Sequence, residues 1–167
     1  MLAVLVVALL GFVTASAVLF VFPASDPPRH ADAILSLNGE NEPAREALAI
    51  SLAERGFAPV LLFSQGNSHT TPCPVVRRVR VVCFEATPGR TVGEVEFAAR
   101  LARRHGWRSL LMVPGRAQTT RARMLLERCF PGRVTVVPAP VPLLEQPYEI
   151  AYEWGAMAKA LVLYRHC

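Results

Sequence analysis

Thr91–Val113, TVGEVEFAARLARRHGWRSLLMV, is the stretch from which the fold is read. Thr91–His105 reads as a helix: Thr91 with Glu94 three residues on has the form of a capping box, and Gly106 stops it. The apolar run Ser109–Val113 then reads as a buried strand.

The same alternation continues in both directions. Ala33–Leu37, Val60–Phe63, Val79–Phe84 and Val134–Val137 read as further strands. Pro43–Arg55 has helical spacing, with Pro near its first turn and Gly56 just past its end. Thr119–Cys129 is a helix ended near Pro131-Gly132, and Tyr148–Tyr164 is a last helix, apolar on most of its face. Gln65–Arg78 fits no clean helix, so one crossover is expected to be irregular. Strands alternating with helices imply an α/β fold of three layers, α/β/α, on a mostly parallel sheet of about five strands.

Met1–Phe22 carries no charged side chain. A helix of that length reaches across a hydrocarbon core of about 30 Å, so a membrane anchor is the favoured reading. A cleaved signal with Ala15-Ser16-Ala17 as its processing site competes with it, although a basic leader is missing. A buried core helix fits least, because such helices keep a polar stripe. Residues 23–30, PASDPPRH, read as a linker, and residues 31–167 as one domain. Flanking charge leaves the orientation open: Arg29 alone would favour a cytoplasmic domain.

The net charge is +5, and 17 of the 18 basic residues are Arg. No basic run is interleaved with aromatics, which argues against nucleic acid as a partner and leaves anionic small molecules or a membrane surface. Cys73, Cys83, Cys129 and Cys167 have no metal-ligand spacing. They are either disulfides of an exported domain, with Cys73 facing Cys83, or four idle thiols. The four histidines have no metal spacing either, and no Walker A, G-x-G-x-x-G or G-x-S-x-G motif occurs.

In an open parallel sheet, ligands bind beyond the carboxyl ends of the strands. That edge collects Asn38–Asn41, Ser64–Asn67, Glu85–Arg90 and the donor-rich stretch VPGRAQTTRARML, Val113–Leu125. It also collects helix starts bearing Arg45, Thr91, Glu94 and Arg121, where free N–H groups favour an anion. Arg116 and Gln118 of the donor-rich stretch join the candidates. Simpler roles compete: Thr91 and Glu94 as caps, Arg121 and Arg123 as solvated helix residues, Asp32 as a turn residue.

ADAILSLNG, AREALAISLAERGFAPVLLFSQG, TVGEVEFAARLARRHGWRSLLMV, RAQTTRARMLLERC and YEWGAMAKAL stand in this order along the chain. Together these segments resemble the YdcF-like family, the domain of unknown function that includes the SanA and ElyC envelope proteins. The resemblance implies a Rossmann-like domain, a single N-terminal membrane helix, and a place in the cell envelope with the soluble domain outside the cytoplasm. It implies site residues Asp32, Arg45, Ser64, Gly66, Thr91, Glu94, Arg121 and Glu153, and S-adenosylmethionine as a candidate ligand.

The chain departs from the family at Leu37-Asn38-Gly39-Glu40, where a Gly-rich turn is usual. It departs again at Gln118, where a His is usual, and at Thr120, which reduces a basic pair. Gln can hydrogen-bond but cannot move protons. Two expectations follow. One is a membrane-anchored domain that binds an anionic small molecule of phosphate, nucleotide or lipid-carrier type, with no catalytic residue assigned. The other is a non-catalytic tethered envelope factor with a degenerate site.

Overall fold

The computed structural model describes residues 1–39, 42–65, 72–140 and 146–167. The strands are β1 (Ala33–Ser36), β2 (Val60–Ser64), β3 (Arg80–Phe84), β4 (Ser109–Val113) and β5 (Arg133–Val136). The helices are α1 (Leu2–Ser16), α2 (Glu42–Glu54), α3 (Thr91–His105), α4 (Thr119–Cys129) and α5 (Gln146–Leu163). Ala17–Val21 continues α1 as a short π-helical segment.

Every strand pair is parallel, and the order is β3-β2-β1-β4-β5. Strand alternation separates two cores. Ala33, Leu35, Leu62, Leu110 and Met112 face α3 and α4. Ile34, Leu61, Leu111 and Val113 face the other way and pack on Ala49, Leu52 and Ala53 of α2.

The reason is handedness. The chain leaves β1 toward β2 and leaves β4 toward β5 in opposite directions, and right-handed crossovers then put α2 and α4 on opposite faces. The order reverses between β1 and β4, which opens a crevice at their carboxyl ends. The described part of the β2–β3 connection contains turns and no helix.

Gly56 and Gly106 terminate α2 and α3 with φ of +80° and +69°, a backbone state that costs glycine nothing. Cys73 is bonded to Cys83 and Cys129 to Cys167, so the alternative of idle thiols is set aside.

Leu2–Val21 is long and apolar enough to cross a membrane, and very little of it is buried against the domain. That excludes the core-helix reading. Its lower end is nonetheless docked. Phe20 is buried with Ala117 and Met157, and Thr120 Oγ1 donates to the Leu19 carbonyl at 2.6 Å. Residues 23–30 are also held. The Asp26 N–H donates to Val136 O at 2.9 Å, and its carboxylate accepts from the Val136 N–H and from Arg123 Nη2, each at 2.8 Å.

Candidate functional site

A cavity of about 840 Å³ lies at the crevice between β1 and β4. Arg45, Ser64, Thr91, Glu94, Gln118, Arg121 and Glu153 all line it. These residues come from α2, the end of β2, the start of α3, the turn after β4, α4 and α5.

Arg45 is 2% exposed, and its guanidinium bridges two loops. Nη2 donates to the Gly39 carbonyl, and Nη1 donates to Gln118 Oε1 at 3.3 Å. Gly39 has φ +132°, and a Cβ there would sit 3.2 Å from Arg45 Nη1, so the approach depends on glycine. Gln118 Oε1 also accepts from the Gly115 N–H at 3.3 Å, and its Nε2 donates to Thr91 Oγ1 at 2.8 Å. The amide thus ties α2, α3 and the β4–α4 turn together, using both its donor and its acceptor.

Glu94 is buried, and the Asn38 N–H donates to its Oε1 at 2.6 Å. Burial pushes its carboxyl above the ordinary value. The neighbouring Ser64 hydroxyl, the Asn38 N–H and the charges of Arg45 and Arg121 oppose that shift without cancelling it. Arg121 and Glu153 form a bidentate ion pair, Nε to Oε2 and Nη2 to Oε1, both at 2.7 Å and both buried.

The capping expectation fails at α3. Its N-cap is Arg90, and no side chain caps it. Thr91 already lies inside the helix, so its hydroxyl is taken by Gln118, and the Glu94 carboxyl is taken by Asn38 of another loop. Both side chains serve the cavity instead of the helix end.

Two candidates lie elsewhere. Asp32 sits at the amino ends of the strands, on the far side of the sheet from the cavity. There its carboxylate accepts from the Arg108 N–H, the Ser109 N–H and Ser109 Oγ, each at 2.8 Å. Arg116 is half-buried in the turn before α4 and does not line the cavity. Gly66 lies outside the described residues. In the donor-rich stretch, Thr120 and Arg123 bind the α1 end and the linker.

α5 and the residue after it add wall residues that were not singled out from the sequence: Glu149, Tyr152 and Lys159 on the helix, and Tyr164 just past its end. Glu149, Glu153, Ala156 and Ala160 recur at helical spacing on one inward face. Two carboxylates on the inward stripe of an otherwise apolar helix were the signal available for it. Among the described residues, no group of His, Cys, Asp and Glu side chains is arranged to hold a metal ion.

The lining holds four basic side chains, Arg45, Arg90, Arg121 and Lys159, and three acidic ones, Glu94, Glu149 and Glu153. Four against three leaves the lining formally positive. A small anion fits such a cavity, because the buried guanidinium groups of Arg45 and Arg121 and the exposed ammonium of Lys159 can donate strong hydrogen bonds to phosphate or carboxylate oxygens. No known protein family, no curated protein and no solved structure matches this chain.

Proposed function

We propose that the protein is a membrane-anchored domain that binds an anionic small molecule of phosphate, nucleotide or lipid-carrier type in the β1/β4 crevice. The observation that carries this reading is the gathering of Arg45, Arg121 and Lys159 with the buried Glu94 on one cavity. Leu2–Val21 supports the anchor. The two disulfides support an oxidising compartment, and so an extracytoplasmic domain, against the single vote of Arg29. The resemblance to the YdcF-like family is the ground for placing it in the cell envelope.

The role of Gln118 favours binding over proton transfer: it is a neutral clip between Arg45, Gly115 and Thr91. A tethered binding factor without catalysis is therefore the second reading.

The test is thermal unfolding of the full chain in micelles with inorganic phosphate, pyrophosphate, nucleotides or S-adenosylmethionine. A ligand at a hundred times its Kd stabilises by about 2.7 kcal/mol. At least one anion should raise the Tm, Arg45→Ala should abolish that rise, and Arg45→Lys should keep part of it. If no anion moves the Tm of a folded chain, the reading is wrong.

A further inference from the structure

The span and the domain compete for the same length of helix. Leu2–Val21 is 20 residues, which at about 1.5 Å per residue covers about 30 Å, the thickness of a hydrocarbon core with nothing to spare. Yet the domain holds the lower part of that span. Trp154 of α5 stacks on Phe12 with ring centroids 5.3 Å apart and meets Phe20 edge-on at 5.3 Å. Its indole Nε1 donates to Ser16 Oγ at 3.0 Å. Phe12 lies roughly 13 Å along the helix from Val21. If α1 uses its whole length to cross, Trp154 and the middle of α5 share the depth of the span's last turns.

The outer face of α5 has the composition such a depth requires. Tyr148 and Tyr152 are 67% and 61% exposed, and Leu161, Val162 and Leu163 are exposed beyond them. Lys159 is the one exposed charged side chain among the described residues of α5. By contrast, α3, which faces water, exposes Arg100, Arg103, Arg104 and His105. Tyrosine rings favour the headgroup layer, and a lysine can lay its stem along apolar surface while its ammonium reaches the headgroups.

We propose that α5 is a membrane-interface helix, with its Tyr148–Tyr152–Val162 face seated in the headgroup layer of the bilayer that α1 crosses. Lys159 and Arg165 suit anionic headgroups there. The seating rests on α1 being a membrane span and does not depend on the cavity's ligand. Tyr152 and Lys159 also line the cavity, so its wall and the membrane-facing surface are continuous.

The full chain is reconstituted in phosphatidylcholine vesicles containing a minority of phosphatidylglycerol, and tryptophan emission is read with two quenchers. One is a lipid spin-labelled near its headgroup, and the other is aqueous iodide. Three proteins each keep a single tryptophan. Trp107→Phe leaves Trp154. Trp154→Phe leaves Trp107, which packs beside Val60 and Arg80 at the opposite sheet edge. The third combines Trp107→Phe, Trp154→Phe and Tyr148→Trp. The Trp154 and position-148 reporters should be quenched severalfold more by the lipid label than by iodide, with blue-shifted emission, while Trp107 should ignore the lipid label. Iodide-dominated quenching at position 148 or at Trp154 overturns the proposal. Alkaline extraction reports separately on α1: a chain kept in the membrane with position 148 in water refutes the seating alone, and an extracted chain refutes both it and the span.

Discussion

Replacing Glu153 by Gln isolates the buried ion pair in the cavity wall. The pair has two N–H···O contacts of 2.7 Å, and its side chains are only 9% and 5% exposed, so solvent screens it little. Gln keeps one acceptor but turns an NH2 toward the other donor, and the guanidinium is left buried without its counter-charge. Breaking such a pair from one side costs about 3–5 kcal/mol. Glu94 is close enough for Arg121 to feel its charge and supplies part of the compensation, so the lower end of that range is expected.

For a domain of this size the cost corresponds to a Tm lower by about 6–12 °C, measured by circular dichroism on the full chain in micelles with its disulfides intact. The double variant Arg121→Met/Glu153→Leu should recover most of the loss, because it removes both desolvation costs. Pyrophosphate should raise the Tm of Glu153→Gln more than that of the parent, since Arg121 is released toward the cavity. A Glu153→Gln chain within about 0.5 kcal/mol of the parent would place the pair among ordinary surface substitutions and refute the burial argument. An unchanged pyrophosphate response would refute the placement of Arg121 on the binding surface.

Asp32 is held below the ordinary carboxylate value, first by the Arg108 N–H, with Ser109 adding to it against the effect of burial. Its contribution is therefore complete above its unfolded value of about 3.9 and is lost as pH falls through the lower folded value. Asp32→Asn should cost about 1 kcal/mol at neutral pH, kept modest by partial exposure, and should flatten the acid limb of a urea-midpoint profile; an acid limb equal to the parent's would discard this account. The bonds Cys129–Cys167 and Cys73–Cys83 span separations of 38 and 10 residues, worth about 4 and about 3 kcal/mol on a chain-entropy basis. Reductant should lower the Tm accordingly, and chain taken from membranes should bind maleimide only after reduction; four thiols reactive at once would overturn the extracytoplasmic placement.

Most of the architecture was legible in local pattern. The five strands and the helices that follow them begin and end within a residue or two of where periodicity, Gly56 and Gly106 put them. The site was legible in part. Arg45, Ser64, Thr91, Glu94, Gln118 and Arg121 do meet on one cavity, because the strand-edge rule needs only the strand ends and a parallel sheet; Glu153, which only the resemblance implies, joins them from α5. The same local reading misassigned the Thr-x-x-Glu at α3, where partners from Gln118 and Asn38 outcompete the cap. Local pattern places Asp32 as a turn residue ahead of β1, which is where it lies; only the resemblance assigns it to the site.

The sequence by itself determined the element types, the apolar N-terminal segment and the basic character of the chain, because these follow from side-chain chemistry within one or two turns of backbone. The tertiary structure decided which charges meet. Arg45 reaches Gln118 across 73 residues, Arg121 reaches Glu153 across 32, and Trp154 reaches Ser16 across 138. Such contacts depend on the strand order β3-β2-β1-β4-β5, and that order is set by crossover handedness and by the packing of two apolar faces, neither of which a local pattern encodes.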